Sequence, residues 1–402
     1  MMPIAPFSVA RLPRIFFGEG CVAEIPAQVA AFGKRVLIVT GAKSFRATAH
    51  WESLLQSLRD QKTTWEMLTI AGEPSPDEID QTVKDYQNRK IEVVLGIGGG
   101  SVLDAAKAIA GILPHGNSVM DHLEGVGKGI PYKGPATPFI AVPTTAGTGS
   151  EATKNAVLSK QDKNNGFKKS FRHESLVPQV ALVDPALLAS CPPELLAANG
   201  MDAFTQLLES YVSINANPFT DALALSGITA FRDGFFAAWQ NQDKIAAQTG
   251  RSQMAYASLL SGITLAQVGL GSVHGLASPL GAYFPCPHGM VCGTLVAEAT
   301  DINIQALQER EPNSIVLQKY AYIGAQLSYE DSKAKLPAEF CDRLVATLRN
   351  WTKQLALPKL RKYEMQSSDI DKVVANCRGG SMKTNPIVLT NAELRELLQR
   401  RC

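Results

Sequence analysis

Two histidines and an aspartate in the second half of the chain have side chains that bind divalent metals in other proteins. Asp202 and Gln206 are four residues apart, so both project from one face of a predicted helix. His274 and His288 follow far downstream. One carboxylate and two imidazoles suit a transition metal such as Fe2+ or Zn2+. From the residues alone, two capping or core histidines and an aspartate in a first helical turn are the alternative.

A glycine-rich segment, residues 96–107, joins an apolar run to a predicted helix, with Gly98, Gly99, Gly100 and Ser101 at the junction. Glycine lets the main chain approach a ligand closely, and the free N–H groups of a helix start favour phosphate. The segment matches neither the Gly-x-Gly-x-x-Gly fingerprint nor a Walker A loop. A tight turn capped by Ser101 is the alternative.

A second polar loop, residues 143–151, follows another apolar run and contains Thr144, Thr145 and Thr148. Open α/β sheets bind ligands at the carboxyl ends of their strands. Two such loops at successive strand ends favour a dinucleotide site over a pair of plain turns.

The elements that must position these residues differ between the halves of the chain. The first half contains short apolar runs that predict buried parallel strands with crossover helices, at residues 14–17, 35–40, 64–70, 91–97, 139–142 and 180–183. Five long helical segments then follow, at residues 201–213, 220–239, 251–268, 290–309 and 314–327. We therefore predict an α/β, Rossmann-like domain with a parallel sheet at residues 1–187 and an all-helical domain at residues 188–402.

The composition of the 402-residue chain is that of an ordinary globular protein, with 45% hydrophobic and 19% charged residues. Its formal net charge of +2 gives no reason to expect nucleic acid or an anionic membrane as partner. We find neither a signal peptide nor a stretch of about 20 apolar residues. The seven cysteines are scattered and form no CxxC pair. We therefore expect a cytoplasmic protein without a disulfide framework.

Five ordered motifs resemble the iron-containing (group III) alcohol dehydrogenases. They are Gly-Gly-Gly-Ser-x-x-Asp-x-x-Lys, Pro-Thr-Thr-Ala-Gly-Thr-Gly-Ser-Glu, Gly-Met-Asp-Ala, His-Gly-Leu-Ala and Pro-His-Gly. The resemblance runs from residues 16–18 to residues 385–386. It implies a dehydroquinate synthase-like architecture: a Rossmann-like domain, a helical domain, and a cleft between them for NAD or NADP and a divalent metal. Fe2+ is the first expectation for that metal, and Zn2+ is the alternative.

The resemblance also assigns roles to individual residues. Those matching the cofactor loops and a cofactor-contacting lysine are Gly98, Gly99, Gly100, Ser101, Asp104, Thr144, Thr145, Thr148 and Lys168. Three of the four family metal ligands match, at Asp202, His274 and His288.

Two positions depart from the family pattern, which has histidine at each. Gln206 stands at the fourth metal ligand, where its carbonyl oxygen is a harder and weaker donor than imidazole. Ser278 stands near the reacting centre, where its hydroxyl can relay a proton but cannot titrate near neutrality. We keep Gln206 as the predicted fourth ligand and Ser278 as a predicted catalytic residue beside Asp202, His274 and His288.

Gly41, at the end of the first central strand, bears on the choice of cofactor. An acidic residue there would bind the ribose 2′-hydroxyl and repel a 2′-phosphate. Because Gly41 has no charge and Lys43 and Arg46 lie nearby, we expect NADP(H) to be at least tolerated. Lys43 and Arg46 as solvated helix residues are the alternative.

The resemblance implies an NAD(P)-dependent alcohol dehydrogenase or aldehyde reductase in which the metal acts as a Lewis acid on the oxygen of a small alcohol or aldehyde. It also implies a homodimer. A metal-independent reductase resembling the maleylacetate reductases and a non-catalytic nucleotide-binding protein are the alternatives. A lyase like dehydroquinate synthase shares the scaffold but matches the motifs less well.

Overall fold

A parallel sheet lies at the centre of the first half of the computed structural model, which describes residues 4–402. The eight strands are β1 Arg14–Phe17, β2 Arg35–Gly41, β3 Thr64–Ile70, β4 Val93–Gly98, β5 Phe139–Pro143, β6 Asn155–Lys160, β7 Phe167–Arg172 and β8 Val180–Val183. Six of them form one sheet in the order β1-β8-β5-β4-β2-β3, and every neighbouring pair is parallel. All six predicted strands are present, although β4 begins two residues later than predicted.

Thirteen α-helices are formed by the described residues. They are α1 Ile25–Ala30, α2 Ala49–Asp60, α3 Pro76–Tyr86, α4 Gly100–Ile112, α5 Pro193–Val212, α6 Pro218–Gln240, α7 Lys244–Val268, α8 Ser272–Tyr283, α9 His288–Arg310, α10 Ile315–Leu327, α11 Pro337–Gln354, α12 Ile370–Asn376 and α13 Asn391–Arg401. The four helices α1–α4 belong to the sheet domain, and the nine that follow β8 pack together around one apolar core. The predicted fold class is confirmed, and the division at residues 187/188 stays a prediction.

The strands are apolar on both sides because helices cover both faces of the sheet. Val36 and Ile38 of β2 pack into the core beneath α1 and α2, whereas Leu37 and Val39 pack into the core beneath α3 and α4. Successive side chains of a strand point to opposite faces, so a continuous apolar run is what a sheet between two helical layers requires.

The chain changes direction across the sheet between β2 and β4. After β2 it adds β3 at one edge, and it then crosses back to place β4 on the other side of β2. Such a switch point leaves a crevice at the carboxyl ends of the two strands, where open α/β sheets bind ligands. The loop that follows β4 is the glycine-rich segment, so the sheet places it beside this crevice.

An antiparallel hairpin of β6 and β7 was not predicted from the sequence. Its turn is stabilised by Asp162, whose Oδ1 accepts hydrogen bonds from the main-chain N–H groups of Asn164 and Asn165 at 2.8 and 2.7 Å. Ala156 and Phe171 are buried in the same core as helix α4. The alternation of buried and polar residues was the available signal, and the charged residues of β7 obscured it.

The helical half contains more helices than predicted. Residues 192–194 predict a helix start, and α5 begins there, at Pro193, and runs without a break through the predicted segment 201–213 to Val212. Helices α8, α11, α12 and α13 were not predicted. Within the described part of the chain, no single helix is both long and apolar enough to cross a membrane. The bent pair formed by α7 and α8 passes that test by length and composition only.

Candidate active site

The two predicted cofactor loops lie side by side because they follow neighbouring strands. Gly98 of β4 is paired with Pro143 of β5, and Thr144 N donates a hydrogen bond to Gly98 O at 3.0 Å. A Cβ atom on Gly100 would lie 2.6 Å from Thr148 Cγ2, closer than any side chain tolerates. Glycine is therefore required at this position for the two loops to approach each other.

A buried lysine connects the second loop to helix α4 and strand β6. Lys107 Nζ donates to Ser150 O, Thr153 Oγ1 and Asn155 O at 2.8, 2.9 and 2.7 Å. Burial lowers the pKa of Lys107 to about 8, and the carboxylates of Asp104 and Glu151 oppose this shift. The lysine was not predicted as a site residue, although the sequence placed it in the first motif.

Asp104, which the sequence predicts to contact the cofactor, forms hydrogen bonds with the second loop and with strand β6. Its Oδ1 accepts a hydrogen bond from Ser150 Oγ at 2.5 Å, and its Oδ2 accepts one from Val157 N at 3.2 Å. Burial raises the pKa of Asp104, and Lys107 opposes the rise. Both carboxylate oxygens therefore have partners within the protein.

One cavity of about 1330 Å³ joins the loops to the helical half of the chain. The predicted site residues on its wall are Gly99, Gly100, Ser101, Asp104, Thr144, Thr145, Thr148, Lys168, Asp202, Gln206, His274, Ser278 and His288. Among the described residues, Gly41 and Gly98 do not belong to this wall. A Cβ atom on either glycine would meet the side chain of Val102, at 3.8 Å for Gly41 and 2.6 Å for Gly98. These two glycines therefore pack behind the cavity wall.

Three of the four predicted metal ligands come together on the wall of this cavity. Asp202 on α5 lies with its Oδ1 3.2 Å from His274 Nε2 on α8 and 3.7 Å from His288 Nε2 at the start of α9. Cys292, one helical turn after His288, joins them: its Sγ is 3.6 Å from His274 Nε2 and 3.8 Å from His288 Nε2. These four donor atoms all lie within 4.8 Å of one another. Cys292 was missed by the sequence analysis, although its spacing from His288 was visible.

A carboxylate behind the cluster orients one of the imidazoles. His274 Nδ1 donates a hydrogen bond to Glu209 Oε2 at 2.6 Å, and Val273 N donates one to Glu209 Oε1 at 2.7 Å. This arrangement leaves His274 Nε2 free to face Asp202, which is the geometry of carboxylate–histidine–metal triads. Glu209 was also missed, although it lies two helical turns after Asp202 on α5.

The chemistry of these donors fits a divalent metal. A carboxylate, two imidazole nitrogens and a thiol converge at one place, and these are the ligand types that Zn2+ and other first-row divalent metals bind. Burial lowers the pKa of His288 to about 4, and Asp202 opposes this shift. Burial also disfavours ionisation of Asp202, but His288 and His274 outweigh it and lower the pKa of Asp202 to about 2. Metals require a neutral imidazole and an ionised carboxylate. Burial disfavours the charged form of His274, but Cys292, Glu209 and Asp202 outweigh it and raise the pKa of His274 well above its ordinary value, so a metal has to displace a proton from this ring.

The two residues that depart from the family pattern have partners within the protein. Gln206 Oε1 accepts a hydrogen bond from Ser261 Oγ at 2.7 Å. Ser278 Oγ donates to Lys168 O at 2.9 Å and thereby links α8 to β7. Lys168 Nζ in turn contacts Glu73 Oε1 at 2.5 Å, so the predicted cofactor lysine lies in an ion pair on the cavity wall. Glu73 was not predicted.

A nucleotide-type crevice that continues into a group of metal-binding side chains is the arrangement of a metal-assisted, nicotinamide-dependent oxidoreductase. Comparison with protein families identifies the family to which the chain belongs. The family model described as iron-containing alcohol dehydrogenase matches residues 13–185, and that of the Fe-containing alcohol dehydrogenase family, C-terminal, matches residues 196–402. The chain belongs to the iron-containing alcohol dehydrogenase family.

Individual relatives cover nearly the whole chain. Alcohol dehydrogenase 4 of Schizosaccharomyces pombe is 29% identical over 99% of this chain and 89% of its own length. The NAD-dependent methanol dehydrogenase of Bacillus methanolicus is 28% identical over 96% of this chain and 97% of its own. The NADPH-dependent butanol dehydrogenase of Clostridium saccharobutylicum is 26% identical over 96% of both chains.

Solved structures agree with the family assignment. An iron-containing alcohol dehydrogenase from Thermotoga maritima superposes with a TM-score of 0.81 at 25% identity, over 98% of this chain and 99% of its own. The predicted family, fold and enzyme class are confirmed: the chain is an NAD(P)-dependent, metal-assisted alcohol dehydrogenase by family.

Proposed function

We propose that this chain transfers hydride between a nicotinamide cofactor and a small alcohol or aldehyde in the cavity described above. The observation that carries the proposal is the continuity of that cavity, which has Gly99, Gly100 and Ser101 on one wall and Asp202, His274 and His288 on another. A cofactor held at the first group and a metal held at the second would share one enclosed space.

The first wall suits the phosphates of a dinucleotide. Helix α4 begins at Gly100, and the first N–H groups of a helix have no acceptor within the helix. Thr144, Thr145 and Thr148 add hydroxyl groups from the second loop to the same wall. We assign the cofactor diphosphate to this helix start.

The second wall suits the reacting oxygen of the substrate. When bound, the nicotinamide supplies or accepts the hydride and the divalent ion supplies Lewis acidity toward that oxygen. Asp202, His274 and His288 would hold the ion, and Glu209 keeps His274 in the orientation that presents Nε2. Asp202 is 1% exposed, so water has little access to its carboxylate.

We assign the proton in this reaction to water or to a hydroxyl relay rather than to a histidine. Ser278 lies on the cavity wall, but its hydrogen is donated to Lys168 O. It would pass a proton only after that bond breaks, so we give Ser278 a positioning role first and a relay role second.

For the cofactor, we propose that NADPH is accepted as well as NADH. No acidic side chain stands at the end of β2, where Gly41 lies. Arg46 is held by hydrogen bonds that it donates to Thr40 Oγ1 and Thr69 Oγ1 at 2.9 and 2.8 Å, which fix the position of its guanidinium beside β2 and β3. Lys43 is exposed and is the cation that we assign to a 2′-phosphate. A clear preference for NADH would contradict this assignment.

We also propose a cytoplasmic homodimer. All seven cysteines are free, which suits a reducing compartment. Light scattering of the purified protein would test the dimer.

The function is tested by metal analysis combined with an aldehyde panel under NADH and NADPH. We expect turnover that is lost together with metal in a His288→Ala variant. Full activity in metal-stripped His288→Ala protein would contradict the role of the metal and favour a metal-independent reductase. Cofactor binding without turnover of any aldehyde would favour a nucleotide-binding protein.

A further inference from the structure

Cys292 occupies the place of a fourth metal ligand. A tetrahedral ion with bonds of about 2.0 Å to nitrogen or oxygen and about 2.3 Å to sulfur separates its ligand atoms by about 3.3 to 3.6 Å. Four of the six separations among Asp202 Oδ1, the two histidine Nε2 atoms and Cys292 Sγ are 3.2, 3.7, 3.6 and 3.8 Å, and all six are within 4.8 Å. Four donor atoms of three different elements thus approximate one coordination shell.

The helices hold Cys292 in this place. His288 and Cys292 are four residues apart on α9, so both side chains project from one face of that helix. Helix α9 packs against both α5 and α8, which carry Asp202 and His274. The Cys292 side chain is fully buried, and its sulfur faces the two imidazoles rather than a main-chain carbonyl. Among residues 4–402, the partners of this thiol are the side chains of the cluster itself, so they hold the sulfur where the other donor atoms converge.

Gln206, in contrast, has its carbonyl oxygen engaged elsewhere. Ser261 Oγ lies 2.7 Å from Gln206 Oε1 and 2.8 Å from Ser258 O, so its single hydrogen is shared between these two acceptors. The side chains of Gln206 and Ser261 are both buried. An amide oxygen is also a weaker ligand than a thiolate for the late first-row metals. Coordination by Gln206 would have to compete with the serine hydroxyl, whereas coordination by Cys292 would replace the thiol proton with the metal ion.

We propose that Cys292 binds the metal as a thiolate, so that Asp202, His274, His288 and Cys292 form the ligand set. On binding, the sulfur–hydrogen bond breaks, a sulfur–metal bond forms, and the proton leaves to the solvent buffer. The proposal rests on the proposed function in that it concerns the same metal centre. A thiolate favours Zn2+ over Fe2+ more strongly than an oxygen ligand does, so it also sets the class of ion.

The direct test uses the wild-type protein and needs no turnover. X-ray absorption of the zinc-loaded enzyme should show one sulfur neighbour at about 2.3 Å beside nitrogen and oxygen neighbours. The cobalt-loaded enzyme should show a thiolate-to-cobalt charge-transfer band in the near ultraviolet. A shell of nitrogen and oxygen alone, without that band, would overturn the proposal.

Variants separate the possible sulfur and amide ligands. Cys292→Ser should abolish the band and weaken Zn2+ binding beyond the roughly 10- to 100-fold that loss of an outer partner costs. The matched control is Cys341→Ser, a buried cysteine on α11 whose thiol donates to Leu317 O, and it should keep the band. Gln206→Leu should keep it as well. Loss of the band in Gln206→Leu and its retention in Cys292→Ser would contradict the assignment.

The failure of this proposal can be distinguished from failure of the proposed function. A protein that binds Zn2+ through one sulfur but reduces no aldehyde would retain Cys292 as a ligand and contradict the activity. A protein that reduces aldehydes with a metal held only by nitrogen and oxygen would support the activity and contradict Cys292 as a ligand. In a competition between equal amounts of the two ions, the wild type should take up more Zn2+ relative to Fe2+ than Cys292→Ser does, and equal ratios would contradict the inferred selectivity.

Discussion

Glu209 Oε2 accepts a hydrogen bond of 2.6 Å from His274 Nδ1, across 65 residues of sequence. The same carboxylate accepts a second bond from Val273 N at 2.7 Å. Because Glu209 is held at both oxygens, it fixes the imidazole ring and its tautomer, and His274 Nε2 is presented to the metal cluster. The metal affinity of this protein therefore depends on a residue that does not itself belong to the four-donor cluster.

We expect Glu209→Gln to lower the affinity for Zn2+ by about 10- to 100-fold, because an amide offers one acceptor oxygen where two are used. Competition with a chromophoric chelator would measure this change. Glu52→Gln, an exposed position on α2, is the control and should leave the affinity unchanged. Equal affinities in Glu209→Gln and wild type would mean that His274 is oriented by packing alone.

Gly100→Ala should weaken cofactor binding without removing the metal. The added Cβ would lie 2.6 Å from Thr148 Cγ2, and overpacking of this kind costs about 1–3 kcal/mol. If this free energy opposes the arrangement of the loops that binds the cofactor, the dissociation constant for NAD(P)H rises by about 5- to 150-fold. Fluorescence titration with the reduced cofactor would measure it.

The contact between residues 100 and 148 can be tested by combining the two substitutions. In a Thr148→Ala background the methyl group that Gly100→Ala would strike is absent. Gly100→Ala should therefore weaken cofactor binding much less in that background than in wild type. An equal cost in both backgrounds would show that the glycine is needed for another reason, such as direct approach to the cofactor.

Glu151 should make the stability of the protein depend on pH. Burial raises its pKa to about 7 from an ordinary value of 4.5, with its own main-chain N–H and Lys107 opposing the rise. Between these values the folded chain keeps a proton that the unfolded chain has lost. Its contribution to the free energy of unfolding is therefore complete below pH 4.5 and disappears as the pH rises to about 7. The total is about 3 kcal/mol.

Glu151→Gln lacks this titration, so its stability relative to wild type should increase by about 2–3 kcal/mol between pH 5 and pH 8. Urea unfolding midpoints and slopes of both proteins at the two pH values would measure the change. Parallel pH profiles would show that the Glu151 carboxyl is ionised in the folded protein throughout.

Ser278→Ala should keep most of the activity. The hydroxyl donates to Lys168 O at 2.9 Å, so its loss removes a link between α8 and β7 rather than the proton source. We expect kcat to fall by less than about tenfold, whereas loss of an obligatory general acid costs about 10²- to 10⁴-fold. Steady-state kinetics with one aldehyde would decide between these roles.

Much of the fold and of the cofactor wall was predictable because the signals are local. The apolar runs of the strands, the three glycines before α4 and the threonines after β5 each lie within about a dozen residues of sequence. Parallel strands bring their carboxyl ends to one edge of the sheet, so the adjacency of the two loops followed from the pattern. The hairpin of β6 and β7 was missed because the lysines of β7 hide its alternation.

The metal cluster was predicted only in part, because it is assembled from three helices. The types and spacing of Asp202, His274 and His288, together with the resemblance to the family, identified these three residues. Cys292 lay among seven scattered cysteines, and Glu209 among many acidic residues, and neither carried a signal by itself.

The sequence alone thus determined the family, the α/β and helical halves, and the loops where the cofactor is expected. Only the tertiary structure decided which buried groups lie beside Asp202, His274 and His288. Helix packing turns the sulfur of Cys292 toward the two imidazoles and places the oxygen of Gln206 against Ser261. The physical reason is that periodicity determines which face of a helix is buried, whereas contacts between helices distant in sequence depend on how those faces interlock.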